Sequence, residues 1–180
     1  MPWEEIIHFL KNRRNLLDGI VFSGGEPLSQ PHLKEAIIEV KELGFKIGLH
    51  TSGAVPNRLE KVIPWLDWVG MDIKAPFDQY ERITLVKNSG KNAQLAAHLL
   101  LESGVPCEFR TTVHSQLLSK NDILTLANTL QEMGAKNFAL QNFRSQGCED
   151  QELNTSARPF HFDAALSEEL EGKFDSFICR

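Results

Sequence analysis

Four turns along the chain gather residue types that could hold a charged ligand. Ser23-Gly24-Gly25-Glu26-Pro27 pairs two glycines, which permit backbone shapes closed to other residues and let a ligand approach the main chain, with a carboxylate acceptor beside them. Ending a strand is the ordinary use of Gly-Gly before Pro. His50-Thr51-Ser52-Gly53 offers two hydroxyl donors suited to a carboxylate, although capping or turn chemistry would use them as well. Asp72-Ile73-Lys74-Ala75-Pro76 sets opposite charges two residues apart, on one side of an extended strand end, where a salt bridge is the simplest role. Arg110, with Thr111 and Thr112, places a guanidinium inside a predicted strand, where it needs partners and where ion pairing would supply them.

The remaining candidates read as structure. His8, His32, His98, His114 and His161 show neither metal-ligand spacing nor a paired nucleophile. Trp65 and Trp68 are expected in the core, and packing accounts for Phe138, Phe143, Phe160 and Phe162, which could otherwise stack a planar ligand. No triad or P-loop spacing occurs, so no residue is assigned a catalytic or metal-ligating role.

The elements that must position these turns alternate between short apolar runs and longer stretches of helical period, the pattern of a parallel α/β domain. The spacing predicts a helix over Glu5 to Arg14, then a strand over Gly19 to Ser23, whose apolar run Ile20-Val21-Phe22 reads as an inner strand. A helix follows, with Pro31 in its first turn and Leu33, Ile37, Val40 and Leu43 in helical register up to Gly44. Further strands are predicted at Phe45 to His50, Trp68 to Ile73, Glu108 to Val113 and Asn137 to Gln141. The intervening helices are Leu59 to Trp65, about Asn92 to Ser103 and about Asn121 to Met133. A polar loop ending near Pro159, a helix at Ala164 to Leu170 and a strand at Phe174 to Cys179 complete the chain.

At 180 residues with an apolar fraction of 42%, the sequence can close one substantial core, and a single domain spanning 1–180 is expected. A formal net charge of -5 gives no general pull toward nucleic acid or an anionic membrane. No stretch approaches the roughly 20 apolar residues of a spanning helix, and acids follow Met1 where a signal peptide carries bases, so a cytoplasmic protein is expected. Cys107, Cys148 and Cys179 are widely spaced and odd in number, which suits reduced thiols.

In order and spacing, the Ser23–Pro27 turn, Thr51-Ser52-Gly53, Asp72–Pro76 and Phe109–Val113 together resemble the radical S-adenosylmethionine (SAM) superfamily. More narrowly, they resemble the activating proteins of anaerobic ribonucleoside-triphosphate reductase over about residues 3 to 145. That resemblance implies a partial (β/α)6, TIM-like barrel, here missing its first strand and cluster loop, which binds SAM across the strand ends. The Gly24-Gly25-Glu26 turn would meet the methionyl ammonium, with Ser23 beside it in the cofactor-binding set, and Thr51, Ser52 and Lys74 would meet its carboxylate. Asp72 would orient Lys74, and Arg110 and Gln141 would contact ribose or carboxylate. His50 stands where such activases carry an acidic ligand, which argues against a monovalent-cation site.

The family's reaction is one-electron reduction of SAM by a 4Fe-4S cluster, giving a 5'-deoxyadenosyl radical that abstracts hydrogen from a glycine of the partner reductase. An electron donor such as flavodoxin or ferredoxin is implied. The cluster needs three closely spaced thiolates from a C-x-x-x-C-x-x-C loop, and this sequence has none. The expectation is therefore that the cluster block lies upstream of Met1 and that the chain as written does not run the radical reaction. The alternatives are a non-catalytic SAM- or partner-binding module, or an activase or maturase for another protein.

Overall fold

The computed structural model describes residues 2–146, 149–156, 158, 160–161 and 164–180. Cys148, Phe162 and the predicted loop end at Pro159 lie outside them. Six strands, β1 (Gly19–Phe22), β2 (Lys46–Thr51), β3 (Trp68–Asp72), β4 (Cys107–Val113), β5 (Asn137–Asn142) and β6 (Ser176–Cys179), form one open parallel sheet whose order follows the chain. The helices are α1 (Trp3–Lys11), α2 (Leu33–Glu42), α3 (Pro56–Val62), α4 (Tyr80–Thr84), α5 (Ser89–Ser103), α6 (Lys120–Glu132), α7 (Gln151–Ser156) and α8 (Ala164–Glu171). The chain divides into two compact units, Met1–Met71 with Leu95–Cys107, and Asp72–Gln94 with Glu108–Arg180.

In the first unit, β1 pairs with β2 from Gly19 opposite Lys46 to Phe22 opposite Leu49, and β2 pairs with β3 from Gly48 opposite Trp68. Ile47, Leu49, Val69 and Met71 are fully buried, together with Ile37 and Val40 of α2 and Leu59 of α3. The apolar stripe of α2 therefore closes on the sheet as its period predicts. β1 is an edge strand, paired on one side among the described residues, and Val21 is half exposed. An unbroken apolar run does not by itself count neighbours. The tryptophans depart from the sequence reading, which expects both in the core. Trp65 and Trp68 are only partly buried, the latter with its ring edge-on to His50 at 5.6 Å between centroids.

Asp67 fixes the β2–β3 register. Its Oδ2 accepts from the Ile47 N–H at 2.7 Å and from Lys41 Nζ at 2.9 Å, while its own N–H donates to the Ile47 carbonyl at 2.8 Å. Burial alone would raise its pKa, but the Lys41 hydrogen bond, the Ile47 amide and the charges of Lys41 and Lys46 outweigh it and hold the carboxyl below its ordinary value. A depressed carboxylate stabilises the fold above the unfolded pKa of 3.8 and loses that contribution as pH falls through the folded value. Asp67→Asn should therefore flatten the loss of melting temperature on acidification below about pH 4. Identical acid slopes in the two proteins would show that Asp67 contributes nothing to it.

In the second unit, β4 pairs with β5 from Phe109 opposite Phe138 to Val113 opposite Asn142, and β5 with β6 from Asn137 opposite Ser176. Phe109, Phe138, Ile123, Leu126, Leu140 and Leu170 form the core. Ser119 and Asp122 cap α6 reciprocally, each side chain bonding the other's backbone N–H. α4 and α7 are short helices where the sequence pattern gives none, because five or six residues are too few to show a helical period.

Candidate functional site

The carboxyl ends of β1 and β2 are tied through one side chain. Glu26, in the turn after β1, accepts four hydrogen bonds. Its Oε1 takes the Leu28 N–H at 3.1 Å and Thr51 Oγ1 at 2.8 Å, and its Oε2 takes the Ser52 N–H at 2.8 Å and Ser52 Oγ at 2.5 Å. Thr51, only 3% exposed, also accepts from the Gly53 N–H at 3.0 Å. A carboxylate offers about four acceptor positions, so Glu26 is saturated by its own chain. Its two charge-assisted hydroxyl bonds are of the stronger class. What the turn leaves accessible is main chain. Gly24, at φ +120, and Gly25 have nothing within 4 Å of where a Cβ would stand. Ser23 Oγ lies 3.3 Å from His50 Nδ1.

Gly53 closes the second turn at φ +70, where a side chain would meet Met71 of β3 and Ala96 of α5. The left-handed backbone and the tight seat both demand glycine here. The turn is thus backed by packed atoms, and Thr51 is locked in it.

In the second unit the predicted charges converge on Asp72. Arg110 Nε donates to Asp72 Oδ1 at 3.0 Å, and Lys74 Nζ stands 3.8 Å from Asp72 Oδ2. Arg110 is 8% exposed, so its ion pair satisfies a guanidinium that would otherwise be costly to bury. Lys74 keeps much of its side chain in solvent, available to a ligand. Thr111 Oγ1 donates to the Ile73 carbonyl at 2.9 Å, and the Ile73 N–H donates to the Arg110 carbonyl at 2.7 Å. The sequence reading passed over Tyr80, the chain's single tyrosine, whose buried phenolic oxygen accepts the Lys74 N–H at 2.9 Å. Burial pushes its pKa up against the Lys74 hydrogen bond, with Asp72's charge adding to the rise, so the phenol stays neutral.

Gln141, at the end of β5, turns its amide oxygen to the Arg180 guanidinium, 2.8 Å from Nε. Buried His114 lies 3.0 Å through Nε2 from the Leu153 carbonyl, accepts the Gln116 N–H at Nδ1 and packs edge-on against Phe143, a structural role.

The described thiols do not fit an iron–sulfur cluster. Cys107 opens β4 at its amino end, opposite the turns discussed, and Cys179 ends β6. Burial raises the pKa of both, favouring thiol over the thiolate a cluster requires; at Cys179 the Ser167 hydrogen bond works against the rise and Glu171 adds to it. Among the described residues no group of histidine, cysteine or acidic side chains is placed to hold a metal ion.

Residues 1–127 match the radical SAM superfamily model. The chain belongs to the radical SAM superfamily. A protein of Methanocaldococcus jannaschii named as a glycyl-radical enzyme activating enzyme is 32% identical over 152 residues, covering 79% of this chain and 61% of that relative. A PqqA peptide cyclase of Gluconobacter oxydans is 31% identical over 121 residues, covering 63% of this chain and 32% of the relative. The chain thus spans less than two thirds of each of these curated relatives. Among solved structures, a domain of pyruvate-formate lyase-activating enzyme from Bacteroides vulgatus superposes with TM-score 0.68 at 15% identity, covering 89% of this chain and 98% of that one. Streptococcus suis SuiB bound to S-adenosylmethionine superposes with TM-score 0.72 at 16% identity, covering 100% of this chain and 44% of that one. At these identities they show the shared fold, a partial TIM-like barrel of the radical SAM type.

Proposed function

We propose that this radical SAM chain is the SAM-binding part of an activase that generates a glycyl radical on a partner enzyme, with anaerobic ribonucleoside-triphosphate reductase as the partner and a flavodoxin or ferredoxin as electron donor. The observation that carries the reading is the coupled pair of turns at β1 and β2, where Glu26 holds an accessible Gly24-Gly25 main chain in one fixed shape. Main-chain carbonyls there suit the methionyl ammonium, and Lys74 suits the carboxylate. Ser23, Thr51, Ser52, Asp72, Arg110 and Gln141 complete the proposed set within one radical SAM domain. Glu26, Thr51 and Ser52 act in it by shaping the turn, since their hydrogen bonds are spent on one another. The described cysteines, Cys107 and Cys179, do not fit a 4Fe-4S cluster and take no part in this reading. The relative from M. jannaschii supports the activase class.

Titration of SAM into the protein tests the reading. Lys74→Ala should weaken binding about tenfold, the worth of one charge-assisted contact, with little loss of stability from so exposed a residue. Absence of SAM binding by the unsubstituted chain, or equal affinity in the variant, would remove the proposed site. Capture by purified anaerobic reductase, compared with other glycyl-radical enzymes, tests the partner. A second reading, a maturase acting on a peptide, is favoured by the similarity to a peptide cyclase. A third, a cluster-free binding module, is favoured by the placement of Cys107 and Cys179.

A further inference from the structure

A cavity of about 250 Å³ opens between the short helical turn Pro27–Ser29, the start of α2 and α3, all within the first unit. None of its lining residues belongs to the set proposed for SAM. Leu28, Leu33 and Val62, all buried, give it an apolar floor, and the exposed side chains of Lys34, Arg58 and Lys61 form its rim.

Floor and rim ask different things of a ligand. Apolar surface open to water gains from any hydrocarbon that covers it. The rim asks for negative charge. Lys34 and Lys61 make no ion pair with a described residue. Arg58 Nη1 donates to the Leu28 and Ser29 carbonyls at 2.9 and 2.8 Å, which occupies those acceptors, fixes the guanidinium and leaves its other N–H groups for a ligand. Glu35 is the one acidic side chain in the lining. It offsets part of the positive charge and repels a second negative charge on the ligand, so a carboxylate fits better than a phosphate dianion. The volume lies at the small end of ligand sites, which suits a short chain and excludes a nucleotide.

We propose that this cavity binds a short-chain amphiphilic carboxylate, with its hydrocarbon body against Leu28, Leu33 and Val62 and its head among Lys34, Arg58 and Lys61. Arg58 is held in place before the ligand arrives, so little of its side-chain freedom is lost on binding.

Hexanoate, acetate and hexanol, each titrated into isotope-labelled protein at an ionic strength of about 0.15 M and followed by backbone amide chemical shifts, test the site under ordinary screening. Hexanoate is expected to saturate and to move the Leu33 and Val62 amides. It should bind about tenfold or more tightly than acetate, which lacks the methylenes that cover the floor. It should also bind more tightly than hexanol, which lacks the charge. Lys34→Gln and Lys61→Gln should each weaken hexanoate about threefold, the worth of an exposed charge contact. Lys136→Gln, exposed in the second unit, should leave its affinity unchanged. Failure of hexanoate to saturate, equal affinity for acetate or hexanol, shifts confined to residues away from the cavity, or an equal loss in Lys136→Gln overturns the proposal. All of these outcomes are independent of whether SAM binds.

Discussion

Glu26→Ala should lower the melting temperature by roughly 5–12 °C, corresponding to about 2–4 kcal/mol in a chain of this size. The argument is one of stranded donors. Thr51 is 3% exposed, so its hydroxyl loses its acceptor where water is scarce, and the Ser52 N–H and Oγ and the Leu28 N–H lose theirs in the same step. Each stranded buried group costs about 1–3 kcal/mol, with partial solvent access at Ser52 limiting the sum. Glu26→Gln separates charge from shape. It retains one oxygen acceptor but turns an NH2 group toward existing donors, so a loss between wild type and alanine is expected. Thermal denaturation of the three proteins decides the matter, and a melting temperature for Glu26→Ala within a degree or so of wild type would show that the carboxylate does not brace the two turns. Because the brace shapes the Gly24-Gly25 main chain, Glu26→Ala should also lose SAM affinity when assayed well below its melting temperature.

Gly53→Ala is expected to cost about 2–4 kcal/mol by a different route. The residue sits at φ +70, where an alanine pays about 1 kcal/mol of backbone strain. Its Cβ would also meet the Met71 methyl and stand 2.9 Å from the Ala96 Cβ, a crowding that costs about 1–3 kcal/mol in a packed core. Met71 and Ala96 are both fully buried, so neither can step aside freely. A double-mutant cycle with Ala96→Gly resolves the two parts. Relief at Ala96 should recover part of the steric share and none of the strain. Denaturant titrations showing purely additive effects would mean that Ala96 does not crowd the turn.

Most of the architecture can be read from the sequence because inner strands are short, apolar and bounded by glycine or proline. β2, β3, β4 and β5 lie within a residue or so of the apolar runs that predict them. Element ends were less legible. α1 begins at Trp3 and stops at Lys11, since Asn12 and the residues after it fold into turns despite their helix-compatible composition. At the site, sequence spacing identified the turns but not how their side chains spend their hydrogen bonds. Nothing in a separation of 25 residues says that Thr51 donates to Glu26 instead of facing a ligand. Asp72 and Lys74 were legible as neighbours because alternate residues share a strand face, and Arg110 because a guanidinium in a strand needs an anion. Tyr80 and Arg180 gave weaker signals. A lone tyrosine soon after a charged strand end, and an arginine directly following a short final strand, were the clues available.

The sheet adds strands in the order in which the chain is made, and this gives the proposed site a history as well as a shape. In the first unit, pairing β1 with β2 closes only a short loop, and no later segment among the described residues has to thread back between them. The bonds from Thr51 and Ser52 to Glu26 can therefore form as soon as the second turn has left the ribosome. The seat of Gly53 against Ala96 must wait for α5. A nascent chain is expected to hold the two turns together before the helix behind them arrives to make the arrangement rigid.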